Sequence, residues 1–92
     1  MSVPGKLRHL LLHRRGDRSQ IHHARQGGYE IRVIGRACEQ GWWLEVQVRH
    51  GGRPMFRQRE KTHLYPDFNS LRVAGLLVAY DVIDRLPSSP VN

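Results

Sequence analysis

Residues 41–50 read Gly41-Trp42-Trp43-Leu44-Glu45-Val46-Gln47-Val48-Arg49-His50. Trp42, Leu44, Val46 and Val48 alternate with Trp43, Glu45, Gln47 and Arg49. Successive strand side chains point to opposite faces, so this pattern predicts a strand with one oily and one polar face. Upstream, Tyr29, Ile31 and Val33 alternate with Glu30, Arg32 and Ile34, which predicts a second strand running to about Ala37. Glu39-Gln40-Gly41 supplies the turn between them. Downstream, His50-Gly51-Gly52-Arg53-Pro54 is a strong turn signal, followed by a mostly polar third strand from Met55 to Leu64. A long polar strand has the character of a sheet edge.

Setting Val48 opposite Phe56 fixes the register of the second hairpin. It puts Gln47 beside Arg57, Glu45 beside Arg59 and Trp42 beside Thr62, with Arg36, Trp43 and Lys61 in one row. The oily face needs a cover, and residues 69–86 are apolar enough to give one. A helix there is expected to start at an Asn69 or Ser70 cap and to stop before Pro87. Leu71, Gly75, Val78 and Val82 form one stripe of it, and Val73, Leu76, Leu77, Tyr80 and Ile83 another. Gly75 permits close approach to the sheet. The expected fold class is α+β: a three-stranded antiparallel meander packed on a C-terminal helix, preceded by a basic N-terminal arm or short helix.

The arm spans residues 1–28. Lys6, Arg8, Arg14, Arg15, Arg18 and Arg25 stand there against Asp17 alone. Leu7, Leu10 and Leu11 have helical spacing, so a short helix over 6–14 fits, with residues 16–28 as a linker ending in Gly27-Gly28. Residues 29–87 make the single domain, and 88–92 a loose tail. A 92-residue chain buries only about 60–65% of the surface it exposes unfolded. The helix is apolar around much of its girth, so a homodimer is expected to help cover it.

The net charge is +7, and of the fifteen basic side chains only Lys6 and Lys61 are lysines. Arginine presents a rigid fork suited to phosphate and carboxylate. The balance points to an acidic partner, either nucleic acid or an acidic protein. The outward positions of the three strands include Arg32, Arg36, Trp43, Arg57, Arg59 and Lys61, a candidate anion-binding face with Trp43 as a stacking platform. Arg8, Arg14, Arg15 and Arg18 are candidate tail contacts. The same residues also fit ordinary cross-strand pairing of Glu45 with Arg59, and of Trp43 with Lys61.

No catalytic site is expected. Cys38 has no local base to activate it, and as the single cysteine it forms no internal disulfide, which fits a cytoplasmic chain. His9 and His13 share a helical face and His22-His23 lies in the linker, but nothing completes a metal site. Asp81 and Asp84 read as the polar stripe of the helix. No cofactor motif is present, and the longest apolar run, Val73 to Tyr80, is far shorter than the roughly 20 residues a bilayer needs.

Gly28-Tyr29-Glu30-Ile31, the Trp-centred strand at 42–48 and the strand ending near Tyr65 before the helix carry a resemblance. They make the stretch from Gly28 to Arg85 similar to small uncharacterised bacterial proteins with a strand–strand–strand–helix core. That resemblance implies a fold and no activity. The element order also resembles the double-stranded-RNA-binding domain. That family carries a lysine-rich motif where this chain has Asn69-Ser70-Leu71-Arg72, so no site residues transfer. The composite expectation is a non-enzymatic basic binding protein contacting nucleic acid or another polyanion, or else a homodimeric interaction module using the helix.

Overall fold

The computed structural model describes residues 18–87. It is an α+β fold in two layers. Strands β1 (Ser19–Gln26), β2 (Tyr29–Cys38), β3 (Gly41–His50) and β4 (Arg53–Arg59) form one antiparallel meander, and helix α1 (Phe68–Arg85) covers one face. The expected arm helix at 6–14, the tail residues Arg8, Arg14 and Arg15, and the loose C-terminal tail at 88–92 lie outside the described residues.

The sheet has four strands, not three. Residues 19–26 are not a linker but pair with β2 along their whole length, from Ser19 opposite Arg36 to Gln26 opposite Tyr29. Gly27 and Gly28 are the two-residue hairpin loop, with φ of 57° and 86°. Positive φ at both central residues is what a tight turn matched to strand twist requires, and only glycine adopts it freely. Gly51 and Gly52 repeat the solution between β3 and β4, at 58° and 83°.

The β2–β3 and β3–β4 registers match the expected ones: Val48 faces Phe56, Gln47 faces Arg57, and Glu45 faces Arg59. The third expected strand, however, stops at Arg59 instead of Leu64. Glu60 still donates its N–H to the Leu44 carbonyl at 2.9 Å. Its carboxylate then accepts from the Thr62 hydroxyl at 2.7 Å and from the Thr62 N–H at 3.2 Å, which turns the chain out of the ladder. These bonds hold the Glu60 carboxyl below its usual range. The chain rejoins the sheet at Tyr65, which exchanges two backbone hydrogen bonds with Trp42. Trp42 is therefore opposite Tyr65, not Thr62.

The inner face of the sheet buries Ile31, Val33, Leu44, Val46 and Val48 against Leu71 and Ala79 of α1. Leu71, Gly75 and Ala79, spaced four apart, are the buried line of the helix. Gly75 makes the contact possible, since a Cβ there would stand 2.5 Å from Val33 Cγ1. Gly35 likewise lies beneath the Phe68 ring, which also packs on Trp42 with centroids 5.7 Å apart. The helix cap is Asp67, not Asn69 or Ser70. Its Oδ1 accepts from the Ser70 N–H at 2.7 Å, and that bond lowers its pKa. No helix among the described residues is long and apolar enough to cross a membrane.

Candidate anion-binding face

Among the described residues, alternation in β1–β4 leaves one face of the sheet without a helix. Its rows follow from the register. Ser19, Arg36 and Trp43 make one. Ile21, Ile34, Glu45 and Arg59 make the next, and His23, Arg32, Gln47 and Arg57 the third. Arg25, Glu30 and Arg49 make the fourth, where β4 carries a bulge: Met55 is extra, and Pro54 stands opposite Arg49. Bulges bend the strand and re-aim side chains.

Glu45 organises this face. It lies on the side without a helix yet is only 2% exposed. Its neighbour Ile34 is buried too, and guanidiniums close over the carboxylate. Arg57 Nε donates to Oε2 at 2.8 Å, while Arg36 Nη2 and Arg59 Nε reach Oε1 at a longer 3.4 Å. Gln47 donates to Oε2 at 2.8 Å. Burial alone would raise the Glu45 pKa. The hydrogen bonds from Gln47, Arg57 and Arg36, with the positive charge of Arg57, outweigh it and hold the group at about 2. Each of the three arginine side chains nevertheless stays more than half exposed. The carboxylate thus fixes one edge of each guanidinium and leaves the others toward solvent.

A relay leads from this cluster toward the hairpin end: Arg32 donates to the Gln47 amide oxygen at 3.3 Å, and Gln47 in turn donates to Glu45. Around Arg32, His23, Arg25, Glu30 and Arg49 line an open groove of about 530 Å³.

Of the expected face, Arg32, Arg36, Trp43, Arg57 and Arg59 do share one side of the sheet. Arg36, Arg57 and Arg59 already hold Glu45, and Trp43 is half-buried. Lys61 is exposed beyond the end of β4, outside the Arg36–Trp43 row. Arg18 is exposed at the start of β1, its carbonyl accepting from the Ala37 N–H at 3.1 Å. Sequence reasoning missed His23 and Arg25 because β1 was read as a linker, while Arg49, expected on the outward face of its strand, was not among the candidates. The signal that could have found His23 and Arg25 is the Gly27-Gly28 pair, spaced for a hairpin as Gly51-Gly52 is. His22 and His23 point to opposite sides of the sheet, and Cys38 is exposed. Among the described residues, no three His, Cys, Asp or Glu side chains cluster as metal ligands.

Compared with models of known protein families, with curated proteins and with solved structures, the chain has no significant match.

Proposed function

We propose that the protein is a non-enzymatic module that binds nucleic acid through the bare face of its sheet, with the N-terminal basic residues adding affinity. One observation carries this reading: Arg36, Arg57 and Arg59 are gathered on a rigid sheet by one buried carboxylate, with Arg32 linked to them through Gln47. The cluster keeps a net positive charge. Guanidiniums already ordered by Glu45 lose less rotamer entropy when they meet phosphate oxygens. Trp43 beside Arg36 offers part of its ring for base stacking.

The test is fluorescence anisotropy of the full chain with a labelled single-stranded oligonucleotide across a salt series. Four neutralised phosphates would give a log–log salt slope of about −3. Absence of binding at about 50 mM salt defeats the reading. Changing Arg8, Arg14 and Arg15 to Gln in the full chain separates the tail contribution, and retained binding assigns affinity to the sheet.

A second reading, a homodimer through α1, is supported by Val73, Leu77 and Tyr80. They lie on one side of the helix, and Leu77 is 64% exposed. Leu76, by contrast, packs against the core. Sedimentation showing a monomer at high concentration would remove the dimer.

A further inference from the structure

The groove at the hairpin end of the bare face differs from the rest of that face. Three of its lining groups are arginines, Arg25, Arg32 and Arg49, and His23 adds a fourth nitrogen donor or acceptor. The one carboxylate is Glu30. It meets Arg25 at 3.7 Å, an exposed ion pair too long for a good hydrogen bond. With histidine neutral, the lining carries a net charge of +2. No buried carboxylate gathers these arginines as Glu45 gathers the others.

Arg49 is the unusual member. The bulge between Val48 and Arg49 disturbs the ladder next to it, and Nη2 donates to the Gly52 carbonyl at 2.8 Å, folding the side chain toward the turn. Its Nε is buried and has no hydrogen-bond partner. A buried donor without an acceptor is costly in a folded protein, and a ligand oxygen that draws the guanidinium toward the groove relieves that cost. Arg49 also lines a second hollow of about 200 Å³ on its β4 side, with Pro54 and Phe56, so the side chain has room to move.

We infer that this groove is a subsite for a dianionic phosphate, the terminal monoester of a nucleic acid strand or free inorganic phosphate. The inference rests on the nucleic-acid reading and sharpens it. A phosphate monoester carries close to two negative charges at neutral pH, matching the net charge of the lining, while an internal phosphodiester carries one. Arg32 and Arg49, on neighbouring strands, supply forked donors to its oxygens. Arg25 closes the site from β1 once its weak pairing with Glu30 gives way.

The experiment compares two oligonucleotides of one sequence, with a 5′-phosphate and with a 5′-hydroxyl, against the full-length chain. Inorganic phosphate and a nucleoside monophosphate serve as further probes, followed by amide chemical shifts. The expected result is tighter binding of the phosphorylated strand by at least about fivefold, with shifts centred on residues 23–32 and 49. The advantage disappears in Arg49→Gln and falls in Arg25→Gln. Arg25 is exposed, so its substitution tests the site without threatening the fold. Equal affinity for the two strands overturns the subsite while leaving nucleic-acid binding intact. Failure of both strands to bind, with shifts from the small phosphates at these residues, keeps the subsite and removes the nucleic-acid reading. Silence from all four probes overturns both.

Discussion

The bare face of the sheet has two ends, and they treat positive charge in opposite ways. At the end nearer the helix N-terminus, Arg36, Arg57 and Arg59 converge on Glu45, which is buried and ionised. At the hairpin end, Arg25, Arg32 and Arg49 surround open space, with an exposed Glu30 on the rim. The first arrangement supplies its own counterion, so its arginines stabilise the fold while keeping exposed edges for the proposed binding. The second has only the exposed Glu30 beside its three arginines. Arginines on one side of one sheet are held differently, according to whether the carboxylate among them is buried.

The difference is sharpest in acid. Glu45 has a folded pKa of about 2 against an ordinary 4.5. A depressed carboxylate contributes stability that is complete above its unfolded pKa and fades as pH falls toward the folded value. Denaturant titrations between pH 4.5 and 2 should therefore show a loss on the order of 3 kcal/mol from this group. In Glu45→Gln that component should vanish, with lower stability at neutral pH; an unchanged acid profile would mean that Glu45 is not the counterion of the cluster.

Paired neutralisations probe the two ends directly. Arg32→Gln with Arg49→Gln should weaken oligonucleotide binding by about 2 kcal/mol, close to thirtyfold, by anisotropy, with little change in denaturation midpoint. Arg36→Gln with Arg59→Gln should weaken binding as well and, unlike the first pair, also lower the midpoint, because it strips two partners from Glu45. If both pairs leave the midpoint unchanged, the contrast between the ends fails and the whole face acts as one electrostatic surface. The smallest effect belongs to a control away from both ends: Asp67→Ala should cost about 1 kcal/mol through loss of the helix cap, seen in chemical denaturation, and leave binding unchanged.

Much of this architecture was legible in the residues. Val46 and Val48 alternate cleanly with Gln47 and Arg49, so one register alone keeps the oily set together, and the pairing of Glu45 with Arg59 follows from it. β1 was not legible because its inward side offers only Ala24 to the core, while Ile21 faces outward beside Ile34. A strand with so little apolar contrast reads as polar coil. The burial of Glu45 was also hidden, because outward position in a two-layer fold normally means water. Here the long arginine stems supply the missing cover, a tertiary effect that alternation does not encode. The exit of the chain after Glu60 depends on two local bonds to Thr62, too small a signal to outweigh a run of extended residues.

The two diglycine turns carry a consequence for chemistry on the chain. Gly27, Gly51 and Gly52 have positive φ, yet a Cβ built on any of them meets nothing within 4 Å. Handedness, not space, is what excludes other residues there. A mirror-image amino acid, D-alanine, meets the handedness condition, because it prefers positive φ. Semisynthetic chains with D-alanine at position 51 or 52 should gain about 0.4–1 kcal/mol each by stiffening the denatured chain. L-alanine at the same positions should lose stability, so chirality alone would separate the two outcomes.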